Sequence, residues 1–274
     1  MRVLAINDIS CVGRCSLTVT LPILSACGIE CNVLPTAILS THTGGFENYT
    51  FRDLTEDIPA ILKQWKELGI TFDCIFSGYL GSQEQIQMVA EIKREFLKPN
   101  GLFIVDPVMG DEGNLYAGFT PDYVANMKGL CAIADYILPN ATEGCYLTDT
   151  PYPTENQPYP IDSVLTQLRK LCPRPIVTGV EQAGKITVQF VDADGKPQVY
   201  EQENIPGFFC GAGDVFASAF IGGILNGKTQ ETAIRLAADF TTAAIRRSAY
   251  EVPDKRYGLN FEMEIFTFLE ALHK

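Results

Sequence analysis

The chain has 274 residues, of which 46% are hydrophobic, and a formal net charge of −12 at pH 7. This length and apolar content are sufficient for a globular α/β protein with a large core. The acidic excess disfavours a surface for nucleic acid or for an anionic membrane, although a phosphorylated ligand would need only a local positive pocket. No run of about 18 uncharged apolar residues is present, so we expect no membrane span.

Apolar β-rich runs alternate with amphipathic stretches up to residue 180. The first run, in MRVLAINDIS, indicates a strand rather than a signal peptide, because Asp8 follows it closely. The predicted strands cover residues 2–7, 32–39, 73–80, 102–108, 136–140 and 175–180. The predicted helices cover residues 16–27, 54–68, 84–96, 121–133, 141–147 and 161–171. This βαβα order predicts a three-layer αβα fold with a doubly wound, mostly parallel central sheet.

Helix boundaries are indicated by Asp53 and Ser82 as N-caps and by Gly69 after a helix. Beyond Val180, residues 185–205 alternate in polarity on both sides of Asp194-Gly195, which predicts a late β-hairpin. Three more helices are predicted at residues 215–225, 229–250 and 262–272. The Pro-rich segment at residues 151–160 is interpreted as a surface loop, because strand–helix alternation resumes after it. We therefore expect a single domain over residues 1–274.

Nine cysteines, none of them in a CxxC pair, suggest buried free thiols in a reducing cytosol rather than structural zinc. Only two histidines, His42 and His273, are present. A hydrolase triad would have to use His42, so this class of enzyme is disfavoured.

The segment PGFFCGAGDVFASAFIGGIL, residues 206–225, places Asp214 directly after a Gly-Ala-Gly turn and before an apolar helical run. Such a turn leaves several backbone N–H groups of the helix without partners, and the helix dipole adds positive potential there. This predicts an anion site with a carboxylate beside it. A tight turn with an N-capping aspartate would explain the same residues. Cys210 beside the turn is interpreted as a buried spectator, with a reactive thiol as the alternative.

Polar side chains follow each predicted strand, at the edge where a doubly wound sheet binds its ligands. They are Asn7, Asp8, Ser10, Ser40, His42, Thr43, Tyr79, Asp106, Asp111, Asn140, Glu143, Thr178 and Glu181. Carboxylates at several strand ends could bind Mg²⁺, which is commonly coordinated by nucleotide phosphates. Asp214 would then accept a proton from an attacking hydroxyl. Neither a P-loop nor a G-x-G-x-x-G fingerprint is present, which disfavours P-loop ATPases and Rossmann dehydrogenases.

Several motifs together resemble a known family. GAGD at the start of a late helix, DPVMGD after a middle strand and PNATE after the next strand are similar to motifs of the ribokinase-like small-molecule kinases. NDISCVGRCS, STHTGG and SGYLGS resemble segments of the pyridoxal kinases, in that order and at similar spacing. The resemblance covers essentially the whole chain. It implies a cytoplasmic, homodimeric, single-domain kinase that uses ATP, Mg²⁺ and a monovalent cation to phosphorylate the 5′-hydroxymethyl group of pyridoxal, pyridoxine or pyridoxamine.

The resemblance also implies roles for individual residues. The implied catalytic groups are Asp214 as base and the amides of Gly211, Ala212 and Gly213 as anion hole. The implied vitamer-binding residues are Ser10, Thr43 and Tyr79. The implied nucleotide-binding residues are Asp106, Asn140 and Thr178. The implied metal ligands are Asp111 and Glu143.

Simpler explanations exist for single residues of this set. Ser10 and Thr43 could cap helices or turns, and Tyr79 could be a core aromatic residue. Asp106 could end a strand, and Glu143 could be an acid in a first helical turn. The chain also departs from the family at Arg14-Cys15, where Tyr/Val-Gly-Asn is usual, and at Gly45, where Tyr is frequent. Both departures fall on the vitamer pocket, so the preferred vitamer stays open.

Two other functions stay open. A hydroxymethylpyrimidine kinase of the same superfamily usually carries a GSD-type start on the first strand, which NDISCVGRCS lacks. A non-catalytic vitamer-binding or nucleotide-binding protein would have no need of a base at Asp214.

Finally, the glycine-rich segment GDEGNLYAGF, residues 110–119, is interpreted as a flap that closes over nucleotide, with an ordinary connecting loop as the alternative.

Overall fold

The computed structural model describes residues 1–154, 157–251 and 254–274. Within these residues the strands are β1 (Arg2–Ser10), β2 (Glu30–Leu39), β3 (Phe51–Asp53), β4 (Phe72–Ser77), β5 (Leu97–Val105), β6 (Gly110–Asp111), β7 (Asn114–Leu115), β8 (Tyr136–Ile137), β9 (Ile176–Gln182), β10 (Lys185–Val191) and β11 (Pro197–Glu203). The α-helices are α1 (Leu17–Ala26), α2 (Ile58–Glu67), α3 (Gln83–Phe96), α4 (Pro121–Cys131), α5 (Ala141–Leu147), α6 (Ile161–Leu171), α7 (Ala212–Leu225), α8 (Gln230–Glu251) and α9 (Ile265–Leu272).

The chain forms two compact units, and the first combines Met1–Gln64 with Ile205–Lys274. In this unit β1 pairs with β2 in parallel, and the short strand β3 pairs with β2 in the antiparallel direction. Helix α7 is buried along nearly its whole length after its first turn, which explains why its sequence carries no charge there. It packs on α1, where Ser218 Oγ donates to Thr20 Oγ1 over 3.2 Å.

The second unit comprises Trp65–Asn204. Here β4, β5 and β8 pair in parallel, as the βαβα pattern predicts. Strand β9 runs antiparallel to β10, and β10 and β11 form the hairpin predicted at Asp194-Gly195. Isolated parallel bridges join Ile137 to Pro175 and Asn140 to Thr178, so the start of β9 also follows the direction of β8. The predicted α/β fold with a mostly parallel sheet and a late hairpin is confirmed.

Two of the three predicted helix boundaries are confirmed. Ser82 caps α3, because its hydroxyl accepts a hydrogen bond from the amide of Gln85 at 3.2 Å. Gly69 follows α2 with φ +64, and the amide of Ile70 donates to the carbonyl of Trp65, which is the bond of a Schellman motif. Asp53 as an N-cap is wrong: it ends β3 and accepts from the amide of Thr55, whereas α2 begins at Ile58.

Other segments differ from the predictions in detail. Strand β3 was not predicted because its three residues are all exposed and too few to show a pattern. The segment 110–119 is not wholly a loop, since β6 and β7 pair across a turn whose central residues, Glu112 and Gly113, both have positive φ. In the Pro-rich loop, residues 151–154 and 157–160 have no regular structure, whereas residues 155 and 156 lie outside the described part. The prediction of a single domain stays a prediction.

All nine cysteines are free thiols, as predicted. Six are buried, Cys31 and Cys210 are half-buried, and Cys11 is exposed. Cys210 is thus less buried than expected, and its role as a spectator or a reactive thiol stays a prediction. No helix among the described residues is long and apolar enough to cross a membrane.

Candidate active site

The first candidate site lies at the start of α7 in the first unit. Gly211 adopts φ +81 and is the N-cap of this helix, so a side chain here would require a strained backbone. A Cβ atom at Gly211 would also overlap the carbonyl oxygen of Arg14. The carbonyl of Gly211 accepts from the amide of Val215 at 3.0 Å, whereas the amide of Ala212 reaches Phe209 O only at 3.4 Å. The turn therefore has the tight glycine geometry that the sequence predicts.

Asp214 occupies the first turn of this helix and is held by two donors. The backbone amide of Ser16 donates to its carboxylate, and Asn7 Nδ2 lies 3.3 Å from Oδ1. Burial raises the pKa of Asp214 to about 7, and the charges of Asp8 and Cys210 act in the same direction, against the two hydrogen bonds. A carboxyl group with such a pKa is suited to accept a proton near neutral pH.

Asp8 is close enough to Asp214 for their charges to interact, and it accepts hydrogen bonds from two hydroxyl groups. Ser10 Oγ donates to Asp8 Oδ2 over 3.1 Å, and Ser16 Oγ donates to Oδ1. Burial raises the pKa of Asp8, and the two hydroxyls partly offset this effect. Ser16 has φ +54, a conformation that is costly for a residue with a side chain. Ser10 and Asp214 are thus brought together through Asn7, Asp8 and Ser16, although vitamer binding by Ser10 stays a prediction.

His42 connects the loop after β2 to the start of α7. Its Nδ1 accepts from the amide of Gly44 at 3.1 Å and lies 3.4 Å from Cys210 Sγ, while its Nε2 donates to the carbonyl of Arg256. Burial lowers the pKa of His42, but Cys210 and the Arg256 carbonyl raise it by more. Thr43 follows as an exposed residue, and its role in vitamer binding stays a prediction.

The second candidate site lies in the other unit, around the start of α5. Asn140 and Glu143 form a capping box, in which each side chain accepts from the other residue's amide. Glu143 Oε1 also accepts from the amide of Met109 at 3.1 Å, and Asn140 Nδ2 donates to the carbonyl of Gly110 at 2.8 Å. Both residues therefore hold the end of the β5–β6 connection, and the metal role of Glu143 stays a prediction.

Asp111 lies close enough to Glu143 for their charges to interact. Burial raises the pKa of Glu143 to about 8; three backbone amides oppose this rise, and the charge of Asp111 adds to it. Burial also raises the pKa of Asp111, whose Oδ1 accepts from the amide of Glu112 at 2.9 Å. Among the described residues, no group of three or more His, Cys, Asp and Glu side chains could hold a metal ion. Carboxylate oxygens are among the ligands that Mg²⁺ accepts, and the metal role of Asp111 and Glu143 stays a prediction.

The remaining predicted residues of this unit take separate positions. Asp106 is buried at the end of β5, and the amide of Thr178 donates to Pro139 O at 2.9 Å, beside Asn140. The half-buried ring of Tyr79 lies 6.0 Å from the ring of Phe119, which belongs to the segment 110–119. The structure thus brings Asp111, Asn140, Glu143 and Thr178 together, and their proposed ligands stay predictions.

Sequence reasoning missed part of the first site. Asn7, Asp8 and His42 were noted as polar residues after strands, but no role was assigned to them. Ser16 was predicted inside a helix, and its positive φ and its amide bond to Asp214 left no signal in the sequence. Cys15 was interpreted as one of the buried free thiols and as part of a departure from the family pattern, with no role at the site.

Comparisons with known proteins agree with the fold and the motifs. A family model described as phosphomethylpyrimidine kinase matches residues 22–259. The pyridoxal kinase PdxY of Pasteurella multocida is 32% identical over 199 residues, which are 66% of this chain and 66%, just under two thirds, of that relative.

Two solved structures are similar over nearly the whole chain. A candidate phosphomethylpyrimidine kinase from Bacteroides thetaiotaomicron, crystallised with pyridoxal, has 35% identity and a TM-score of 0.91, covering 97% of this chain and 95% of that one. Pyridoxal kinase from Lactobacillus plantarum has 31% identity and a TM-score of 0.90, covering 98% and 96%. The predicted ribokinase-like fold and the predicted phosphotransferase class, with an alcohol group as acceptor, are confirmed. The chain belongs to the phosphomethylpyrimidine kinase family.

Proposed function

We propose that the protein is a pyridoxal kinase that transfers the γ-phosphoryl group of ATP to the 5′-hydroxymethyl group of pyridoxal, pyridoxine or pyridoxamine. The observation that carries the proposal is Asp214 in the first turn of α7, with a pKa near neutrality and two donors that fix its carboxylate. The similarity to pyridoxal kinases and to a structure with bound pyridoxal supports the substrate class. Membership in a kinase family supports the use of ATP.

In this proposal each group of predicted residues has its own role. Asp214 accepts the proton of the vitamer hydroxyl, and the amides of Gly211, Ala212 and Gly213 stabilise the negative charge of the transferred phosphoryl group. Vitamer contacts are assigned to Ser10, Thr43 and Tyr79, and nucleotide contacts to Asp106, Asn140 and Thr178. Asp111 and Glu143 would hold the Mg²⁺ that accompanies ATP and neutralises phosphate charge.

Three further properties belong to the proposal through the family resemblance. They are a requirement for a monovalent cation, a homodimer and a cytoplasmic location. Omission of K⁺ and Na⁺ from the assay tests the first. Light scattering at micromolar concentration tests the second, and a monomer would contradict it.

The decisive experiment is an ADP-release assay with pyridoxal, pyridoxine, pyridoxamine and hydroxymethylpyrimidine side by side. We expect release with at least one B6 vitamer and slower release with the pyrimidine. The family's description makes the pyrimidine the second candidate substrate, and a clear preference for it would replace the proposed function. If none of the four compounds stimulated ADP release, the proposal of a kinase would fail and a vitamer-binding or nucleotide-binding protein would remain. Asp214→Asn, prepared in parallel, controls for contaminating kinases.

The pKa of Asp214 leads to a prediction about pH. A base must be deprotonated, so turnover should rise through about pH 7 and level off above it; at pH 6 about a tenth of the plateau is expected. Asp8→Asn removes a charge that raises the pKa of Asp214, and should therefore shift this rise to lower pH. The measurement is turnover from pH 5 to 9. Glu47→Gln, an exposed change of the same charge, is the control, and coincident profiles for all three proteins would contradict the prediction.

The segment 110–119 leads to a prediction about closure. Its turn is attached to α5, because Gly113 N donates to Thr142 Oγ1 at 2.9 Å and Gly113 O accepts from Tyr146. We expect amide exchange over residues 112–118 to slow when ATP and vitamer are both present, because a closed flap excludes water. If neither ligand changed the rate of amide exchange in residues 112–118, the segment would be an ordinary connecting loop and not a flap.

A substitution in this turn adds a kinetic test. Gly113→Pro should lower turnover more than stability, since proline cannot adopt φ +80 and cannot donate to Thr142. Gly184→Pro is the matched control: it also replaces a glycine of positive φ in a hairpin turn, with no neighbouring atom within 4 Å of a Cβ. Equal turnover for the two variants would argue against a functional role of the 110–119 turn.

A further inference from the structure

Two cysteines and a histidine meet immediately before α7. Cys210 Sγ lies 3.4 Å from His42 Nδ1, and the thiols of Cys15 and Cys210 are hydrogen-bonded to each other. The two segments that carry the thiols are in close contact, since Gly211 has space for a hydrogen atom only, against Arg14 and Cys15. We call Cys15, His42 and Cys210 the thiol cluster. No step of the proposed phosphoryl transfer uses it.

The two thiols of the thiol cluster differ in how readily they ionise. The hydrogen bond from Cys15 holds the pKa of Cys210 below its ordinary value; burial opposes this effect, and His42 and the amide of Gly211 assist it. The same hydrogen bond, together with burial, raises the pKa of Cys15. Of the two thiols, Cys210 is therefore the one that ionises more readily, and Cys15 is the one that keeps its proton. A thiolate is the form of cysteine that attacks electrophiles.

The two cysteines differ in their exposure to solvent, and therefore in the reaction that each can undergo. Cys210 is half-buried and can meet a small reagent, whereas Cys15 is only 5% exposed and its thiol interacts with that of Cys210. This combination of an accessible thiolate and a second thiol beside it is the arrangement of redox-sensing cysteines.

We propose that Cys210 is a site of oxidation by hydroperoxides and that Cys15 resolves the product into a Cys15–Cys210 disulfide. The Cys210 thiolate attacks one peroxide oxygen; a sulfur–oxygen bond forms, the oxygen–oxygen bond breaks, and the second oxygen leaves as hydroxide or alkoxide. The Cys15 sulfur then attacks the Cys210 sulfenic acid. The sulfur–sulfur bond forms, and the sulfenic oxygen leaves as water with the proton of the Cys15 thiol. The protein loses two electrons, which reduce the peroxide.

The disulfide would act on the residues beside it. Cys15 precedes Ser16, whose amide binds the carboxylate of Asp214, and Cys210 precedes the N-cap of α7. Linking the two sulfurs moves both segments and disturbs the position of Asp214. Peroxide should therefore lower turnover, and a thiol reductant should restore it.

The test treats the full chain with hydrogen peroxide and follows each cysteine by differential alkylation and peptide mass spectrometry. This readout does not depend on kinase activity, so it stands even if the proposed function fails. We expect a Cys15–Cys210 linkage to form before the exposed Cys11 is oxidised, and to disappear with dithiothreitol. Oxidation of Cys11 ahead of an unmodified Cys210 would overturn the proposal.

Three variants separate the steps. Cys15→Ser should stop at a Cys210 sulfenic acid that dimedone traps, and Cys11→Ser should behave like the parent protein. His42→Gln removes the nitrogen near Cys210 but keeps a donor for the Arg256 carbonyl, and should slow the oxidation of Cys210 by several fold. A sulfenic acid that persists in the parent protein, with no bond to Cys15, would overturn the resolving role.

Discussion

Replacing Asp214 by asparagine is expected to lower turnover by about 100-fold or more, which is the usual scale for losing a positioned base. Asparagine has nearly the same shape, and its oxygen can still accept from the Ser16 amide. ATP binding should persist, and it should tighten if the lost negative charge lies near the phosphates. The measurements are turnover by ADP release and nucleotide affinity by calorimetry. Unchanged turnover would remove Asp214 from the role of base.

Stability gives this variant a second readout. The pKa of Asp214 is raised from 3.8 to about 7 in the folded state, so the stability it contributes is lost as the pH rises from about 4 to 7, and the full cost is present above pH 7. Asp214→Asn should therefore unfold at an equal or higher temperature than the parent protein at pH 8. The exposed change Asp57→Asn, in the same unit, controls for the loss of one charge and should leave turnover unchanged. A lower unfolding temperature would show that the carboxylate is needed for the fold.

Replacing Gly211 by alanine is expected to have the second-largest effect. The methyl group meets two penalties, a backbone at φ +81 and an overlap with the carbonyl oxygen of Arg14. Since the overlap involves backbone on both sides, either the turn or the segment that carries Cys15 must move. We expect a loss of about 2 kcal/mol or more in the free energy of unfolding. Turnover should fall by about 10-fold or more, because Asp214 loses its position.

Gly227→Ala is the matched control for this change. Gly227 follows the other end of the same helix with φ +79, and a Cβ there would have nothing within 4 Å. Only the backbone penalty remains, so we expect a loss of about 1 kcal/mol and normal turnover. Denaturant unfolding and ADP release measure the two quantities. Equal losses of stability and turnover for both variants would show that the close approach to Arg14 has no importance.

The fold could be predicted from local patterns to the extent that each element carried its own signal. The hydroxyl of Ser82, the freedom of Gly69 and the Asp194-Gly195 turn all act within a few residues of the chain, and their effects are visible in the sequence. Strand β3 depends instead on pairing with β2, because its own three residues have no buried face. Asp53 shows the limit of a cap prediction, since its side chain formed a turn with Thr55 in place of a helix start.

In the candidate site, too, local features could be predicted from the sequence, whereas contacts between distant segments could not. Asp214 could be identified because glycine, helix and acid are adjacent in the sequence. The partners that fix it could not, since Asn7 lies 207 positions away and Ser16 contributes a backbone amide that every residue except proline possesses. The interaction of His42 with Cys210 joins positions 168 apart. For Glu143 the sequence shows a carboxylate, but only the structure shows that both of its oxygens accept backbone amides.

The unusual conformation of Ser16 has a consequence for how the acids at this site titrate. One residue binds two carboxyl groups at once, through its hydroxyl to Asp8 and through its amide to Asp214. A proton taken up by one acid therefore alters both the charge and the hydrogen bonding that the other acid experiences. Protonation of Asp8 removes one of the charges that raise the pKa of Asp214. A substitution at Ser16 that displaces its amide or its hydroxyl should consequently move the midpoint of the pH–rate profile, although serine itself takes up no proton.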